Sequence, residues 1–396
     1  MKKLLAILLA MALVLGLAAC GSASESAPAA EKSASAPAES VQESASAEEA
    51  ASAEETVSAE EPAPAEEPAS AEEPAPAEEP ASAEEPAPAE EPVAGTDVNI
   101  AVLAGPTGIG AVGLMEANDN GETVNHYSFT VAGANDDVVA GLTSGEFDMA
   151  AVATNVAANL YQKTGGGVQI CALNTYGVLY ILENGDSVQA ISDLKGRTLY
   201  ATGQGANPEY VLEYLLTQNG LSYSLDGSEA DVQLEFMASD ELVAGMASGT
   251  YDLCMLPVPA VTSVELQNAD VRTALDLTAE WNSLGVDGKL TQGCIVVRTE
   301  FAQAHPEAVA AFLSEYAASI DSVIADPAHA GELCEAYGVV AKAPVATKAI
   351  PDCNLCCVYG AELRGAIEPY YQVLFDANPQ SIGGALPGDD FYFVAE

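Results

Sequence analysis

Basic residues are scarce in this chain. Twelve Lys and Arg stand against 59 Asp and Glu in 396 residues, a net charge of −47. Nucleic acid is thereby excluded as a partner, because neutralising phosphates needs clustered Lys and Arg. Histidine is nearly absent as well. His126, His305 and His329 are far apart in sequence, and none lies beside a second base or metal ligand. Neither G-x-S-x-G nor H-E-x-x-H occurs, so no nucleophile elbow and no zincin helix is present. After the first 20 residues no apolar run is long enough to cross a bilayer. Disulfides are not expected either. The seven cysteines beyond Cys20 (Cys171, Cys254, Cys294, Cys334, Cys353, Cys356 and Cys357) are odd in number. Most lie in apolar runs such as QICALN and GCIVV, where Cys acts as a small hydrophobe. Cys353-Asn354-Leu355-Cys356-Cys357 lacks two further ligands nearby, so no metal is expected there, and nothing else calls for a cofactor.

What is present divides the chain into three. Residues 1–20 join Lys2 and Lys3 to an apolar stretch from Leu4 to Leu17, the pattern of a signal peptide. Leu17-Ala18-Ala19-Cys20 resembles a bacterial lipobox, which implies cleavage before Cys20 and lipid attachment to its thiol. Residues 21–96 are almost only Ala, Glu, Ser and Pro. From Glu60 a hexad alternates EEPAPA with EEPASA. Proline at that spacing blocks helix, and paired glutamates repel one another, so a disordered linker is expected. Fully extended at roughly 3.1 Å per residue, it would reach on the order of 200 Å. That span suits the thick wall of a Gram-positive cell, with the protein anchored on the extracytoplasmic face of the membrane. The linker carries 20 Glu and one Lys, so residues 97–396 keep 39 acids and nine bases and are themselves acidic.

In the remaining 300 residues, DDVVAGLTSGEFD (136–148) returns 104 positions later as DELVAGMASGTYD (240–252), with seven of 13 positions identical. Two copies of one local structure imply two similar lobes, an arrangement suited to clamping a ligand. Strand and helix patterns alternate throughout, βαβ grammar that predicts an α/β fold with mostly parallel, doubly wound sheets. A break at 184–193 places lobe I at 97–189 and 286–396 and lobe II at 190–285. The two crossovers between them would act as a hinge.

In such sheets ligands sit beyond the carboxyl ends of strands. The candidate binding residues are therefore Gly105, Pro106, Thr107 and Gly108; Thr154 and Asn155; Asn174, Thr175 and Tyr176; Gly203, Gln204, Gly205 and Asn207; and Pro257 with Pro259. Tyr176 and Trp281, the only tryptophan, are candidates for stacking on a flat ligand. Thr154-Asn155 aligns with Val258-Pro259 at the repeat offset, which suggests one polar jaw and one more apolar. None of these loops carries Arg or Lys, which argues against a strongly anionic ligand. A competing motif is G-x-G-x-x-G at Gly108–Gly113 with Asp136 beyond it, a dinucleotide fingerprint if taken literally. Alternatively, the same glycines let a helix N-terminus expose its N–H groups to a polar ligand.

The segments AVLAGPTGIGAVGLM (101–115), L-x-S-G-E-F-D (142–148), ISDLKGRTLYATGQG (191–205), IVVRTEFAQAHPEAVAAFL (295–313) and NPQSIGGALPGDDFY (378–392), in that order, carry a family resemblance. The chain resembles substrate-binding lipoproteins of ABC transporters, in the nitrate, sulfonate, taurine and thiamine-pyrimidine-precursor group. The resemblance implies the two-lobed type II periplasmic-binding fold, hinge closure over a small solute, and delivery to an ABC permease and its ATPase. A monomeric, non-enzymatic binding protein is the expectation. Some relatives on this fold do pyrimidine-synthesis or menaquinone-pathway chemistry, so an enzyme is the alternative, and a sensor or adhesin ectodomain a third.

Overall fold

A computed structural model describes residues 95–394. The signal peptide, Cys20 and nearly all of the linker lie outside the described residues. In chain order, β1 (Asp97–Leu103) leads to a short helix α1 (Pro106–Ile109), α2 (Val112–Asp119) and β2 (His126–Ala132). Then come α3 (Asn135–Ser144), β3 (Met149–Ala153), α4 (Thr154–Thr164) and β4 (Val168–Tyr176). The next group is β5 (Leu179–Asn184), β6 (Arg197–Ala201), α5 (Asn207–Gln218), β7 (Tyr223–Ser224) and β8 (Val232–Phe236). It continues with α6 (Ser239–Ser248), β9 (Leu253–Pro257), α7 (Ala260–Gln267), β10 (Val271–Asp276) and α8 (Leu277–Ser283). The chain closes with β11 (Thr291–Arg298), α9 (Thr299–Ala304), α10 (Pro306–Ala325), α11 (Pro327–Ala336), α12 (Ala343–Ala349), β12 (Leu355–Tyr359) and α13 (Leu363–Ala377).

These strands make two six-stranded sheets, ordered β12-β4-β11-β3-β1-β2 and β10-β5-β9-β6-β8-β7. Two adjustments to the sequence reading follow. First, β4 and β5, consecutive in sequence, pair in different sheets. The chain therefore leaves lobe I at Gly177-Val178, not near 190, and residues 179–189 belong with lobe II. The polar stretch at 184–193 is a turn inside lobe II. Second, the sheets are mixed. β1, β2 and β3 run parallel, as do β6, β7, β8 and β9. The crossing strands run against them: β5 is antiparallel to β9, and β11 to both β3 and β4. A strand that arrives from or returns to the other lobe enters from the hinge side, and its direction is set by that entry.

Local sequence explains the repeated unit. α3 and α6 each open on acids (Asp136 and Asp137; Asp240 and Glu241), which favour a helix N-terminus. Both helices end on a left-handed glycine, Gly145 (φ 81°) and Gly249 (φ 73°), where a Cβ would be strained. The other conserved glycine of each copy has a different role. A Cβ on Gly141 would stand 2.2 Å from the Phe147 ring, and one on Gly245 2.1 Å from the Tyr251 ring. In each lobe an aromatic side chain just before a strand folds back onto bare helix backbone, locking helix to strand.

The core of lobe I sits between its sheet and α2 and α10. Val98, Ile100 and Val102 alternate inward from β1, and Val309, Phe312, Leu313, Tyr316 and Ile320 present the apolar face of α10. Burying each such side chain contributes roughly 1.5–3 kcal/mol. The fingerprint glycines are consumed by this packing. A Cβ on Gly108 would lie 2.3 Å from the Leu103 carbonyl oxygen. On Gly110 it would meet Ile320 and Tyr316, and on Gly113 Ser319 and Ser322. Ser319 Oγ accepts from Leu114 N (2.9 Å) and donates to Gly110 O (2.7 Å). These glycines bring α1 and α2 onto β1 and α10, which overturns the dinucleotide reading of their spacing.

Candidate functional site

The carboxyl ends of the parallel strands of both sheets meet at a cleft of about 710 Å³, within the range of small-molecule sites. Lobe I contributes Gly105, Pro106 and Thr107 after β1, the 133–135 turn after β2, and Ala153 at the end of β3. Lobe II contributes Thr202 and Gly203 after β6, Ser239 and Asp240 after β8, and Pro257 and Pro259 after β9. Residues 338–342, between α11 and α12, cover one rim, tied down by Gly105 N donating to Val339 O at 3.0 Å. Gln292, near the start of β11, completes the lining.

The cleft wall is mainly Gly, Ala, Pro and Val, with no aromatic side chain. Its only carboxylate and only ammonium are those of Asp240 and Lys342. The ten-residue helices α3 and α6 begin at the cleft from opposite lobes, so two sets of free N–H groups and two positive dipole ends converge there. Gln292 adds a side-chain donor. It is 6 % exposed, and its Nε2 has no hydrogen-bond partner among the described residues. A buried amide N–H left unpaired costs about 1–3 kcal/mol, and this one is closed off from solvent within the cleft wall.

Of the sixteen residues expected at the ligand, six line the cleft: Gly105, Pro106, Thr107, Gly203, Pro257 and Pro259. The others are elsewhere for identifiable reasons. Gly108 is buried against Leu103. Asn174 and Thr175 lie beneath the first loop and support it, with Asn174 Nδ2 donating to Thr107 O (3.1 Å) and Tyr316 Oη (3.1 Å). Burial holds that Tyr316 hydroxyl far above the usual phenol range, so it stays protonated. Gln204 and Gly205 point to solvent on the outer side of their loop. Trp281 is fully buried between Tyr214 and Tyr370 (ring centres 5.1 and 5.5 Å away) and cannot stack on a ligand. Tyr176 faces a separate groove.

Thr154, Asn155 and Asn207 form the largest departure. All three are 0 % exposed, and neither Thr154 nor Asn155 caps α4. They make a polar junction between the lobes. Asn207 Nδ2 donates to Thr154 Oγ1 (2.7 Å) and Gln292 O (2.8 Å). Asn207 Oδ1 accepts from Asn155 N (3.2 Å) and the Tyr370 hydroxyl (3.1 Å). The Tyr371 hydroxyl donates to Thr154 O (2.8 Å), and Asn155 Nδ2 reaches Gly205 O (3.3 Å). This cluster lies behind the cleft and positions Gln292 through its backbone carbonyl.

Sequence reasoning missed Asn135, Ser239, Asp240, Ser263, Lys342 and Gln292. For two of them a signal existed: Asn135 and Ser239 immediately precede the two repeat copies, 104 residues apart, each opening its helix at the cleft. Nothing in the local sequence around Gln292 distinguishes it from a strand residue.

This two-lobed α/β architecture is the type II periplasmic-binding fold. The family model described as NMT1/THI5 like matches residues 132–330, half of the chain, and the chain belongs to that family. Solved structures share the fold. An ABC transporter structure from Parabacteroides distasonis aligns with a TM-score of 0.62 at 21% identity, covering 76% of this chain and 100% of that one. The periplasmic aliphatic sulphonate binding protein SsuA of Escherichia coli aligns with a TM-score of 0.58 at 16% identity, covering 75% and 96%. The alkanesulfonate-binding protein SsuA of Xanthomonas axonopodis pv. citri, bound to MOPS, gives 0.56 at 15%, covering 74% and 95%. A comparison with curated protein sequences returns no significant match.

Proposed function

We propose that this protein is an extracytoplasmic, lipid-anchored solute receptor that holds a small organic molecule between its lobes and hands it to an ABC permease. The observation that carries the reading is a cleft of about 710 Å³ walled by both lobes, where two helix N-termini from opposite lobes converge. Such a site favours a ligand that presents acceptors, such as carbonyl oxygens or ring nitrogens, within a compact apolar frame. With no guanidinium in the wall, a sulfonate would lack the bidentate partner that usually holds it. The lipobox at Cys20 and the acidic linker support the anchored arrangement, and the two-lobed fold supports capture by closure.

The test is mass spectrometry of small molecules released from the purified full-length protein, followed by thermal-shift titration with the compound found. At about 100 times its Kd a true ligand adds roughly 2.7 kcal/mol to stability. Gln292→Leu replaces a polar residue of the cleft wall by an apolar one of similar volume, and should weaken binding of a polar solute by about tenfold. Recovering no ligand, together with no stabilisation across libraries of vitamin precursors, amino acids, sulfonates and nucleobases, would overturn the reading.

A further inference from the structure

A second large cavity, about 1400 Å³, is also walled by both lobes and lies between α5 of lobe II and α13 of lobe I, with the returning 285–289 segment along one side. The two cavities share no lining residue. Their chemistry also differs. Four tyrosines, Tyr176, Tyr210, Tyr214 and Tyr223, line the groove, and Lys289 is its only base against the carboxylates of Glu213, Asp287, Glu362 and Asp376. Lys289 shows what such a wall attracts: its Nζ sits 4.8 Å from the centre of the Tyr176 ring. At the opposite end Glu213 stands among the other three tyrosines, half-buried and without a cationic partner among the described residues.

We propose that this groove is a second binding site, for an organic ammonium ion whose charge meets Glu213 and whose carbon skeleton packs against Tyr210, Tyr214 and Tyr223. A cation near an aromatic ring is stabilised by the ring quadrupole, more strongly as water is excluded. A half-buried carboxylate held by a single hydroxyl and no cation is unfavourable when ionised, and an ammonium ion supplies the missing charge. The groups facing Glu213 are Glu209 on its own helix, the Tyr223 hydroxyl from β7, and Tyr210. Burial first, then repulsion from Glu209, pushes the Glu213 carboxyl up to about 7. A bound ammonium favours the ionised form, so affinity should rise as pH passes upward through neutrality.

The only tryptophan reports on this groove. Trp281 contacts Tyr214, and its Nε1 donates to Gly288 O at 3.1 Å; both Tyr214 and Gly288 are groove residues. Full-length protein is titrated with tetramethylammonium chloride and with putrescine at constant ionic strength, reading Trp281 fluorescence. The expected result is a saturable change for at least one probe, tighter at pH 8 than at pH 5.5, unaltered in Gln292→Leu, and weakened about tenfold or more in Glu213→Gln. Tyr210→Leu, which leaves Trp281 packing untouched, carries the same expectation should Glu213→Gln fail to fold. A response that never saturates, or equal affinity in wild type and the folded groove variant, overturns the proposal. Because Gln292→Leu acts only on the cleft, the outcome is independent of whether the cleft ligand is found.

Discussion

Replacing Asn207 by alanine tests whether the junction behind the cleft holds the lobes together. The side chain is fully buried and makes its bonds across the lobe boundary. Its removal leaves the Asn155 N–H and the Tyr370 hydroxyl without an acceptor and the Gln292 carbonyl without its donor. Thr154 Oγ1 is less affected, since it still donates to Thr291 O at 3.1 Å. Each orphaned buried group costs about 1–3 kcal/mol, and a water entering the vacated space would recover part of the loss, so about 3–5 kcal/mol is expected. Against a typical total of about 5–15 kcal/mol this is a large fraction. Urea unfolding followed by Trp281 fluorescence and by circular dichroism would read it; at a slope of about 3 kcal/mol/M the midpoint should fall by roughly 1 M or more. Asn207→Asp should be at least as damaging, because it sets a carboxylate against the Gln292 and Thr291 carbonyls. Gln204→Ala, an exposed neighbour, should leave the midpoint unchanged. A loss below about 0.5 kcal/mol for Asn207→Ala would refute the reasoning, since it would mean that the orphaned groups rebond at no cost.

Three further outcomes follow from other parts of the molecule. Gly141→Ala and Gly245→Ala should each destabilise by about 1–3 kcal/mol, because the added methyl collides with Phe147 or Tyr251; thermal unfolding would check this, and Gly141→Ala paired with Phe147→Leu should recover part of the loss. Glu213 titrates higher in the folded chain than in the unfolded one, so the folded state keeps its proton longer, and stability falls as pH rises from about 4.5 to about 7. Because half of that carboxylate is open to solvent screening, the loss is about 1 kcal/mol, and Glu213→Gln should abolish that segment of the pH–stability curve measured by denaturant titration. Glu183 behaves in the opposite sense. Burial opposes its ionisation, but hydrogen bonds from Ser187 and Val188 and the Arg272 guanidinium at 2.7 Å outweigh it, and its carboxyl titrates below the usual range. Its contribution is present above the unfolded value and lost as pH falls through the folded one, so Arg272→Met should cost about 1–3 kcal/mol at pH 7 and progressively less below pH 4.

Much of the fold was legible because it is encoded locally. The acids opening α3 and α6, the left-handed glycines closing them and the alternating apolar strands are short-range signals, and each produced the element expected. The division into lobes was legible from the repeat but its boundary was not. β4 and β5 fall together inside the 97–189 bound because they are adjacent in sequence and equally apolar. Only pairing partners 70 or more residues away, on β9 and β10, draw β5 into the second sheet. The Gly108–Gly113 run shows the converse: a correct pattern whose glycines serve close packing against Leu103, Tyr316 and Ser319 instead of a cofactor.

The site divides along the same line. Loops that leave central parallel strands, Gly105–Thr107, Gly203 and Pro257–Pro259, are at the cleft because strand-end geometry puts them there, and that rule acts on sequence alone. Thr154 and Asn155 obey the rule too, at the end of β3, yet they are covered, because Asn207 and Tyr371 reach them from other elements. An expected polar jaw thus becomes an interior junction. Asn135 and Ser239, which immediately precede the two repeat copies, line the cleft instead, which makes it nearly symmetric in its helix ends. A symmetric pair of helix N-termini cannot by itself orient a ligand. Orientation of a bound molecule would need groups that only one side of the cleft supplies, and Gln292 and Lys342 are such lining residues. Gln292 lies on β11, the antiparallel strand that stands beside β3 as β5 stands beside β9, and its carbonyl is held by Asn207 from the other lobe. The lining residues that distinguish the two sides of the cleft therefore stand outside the repeat that first revealed the fold.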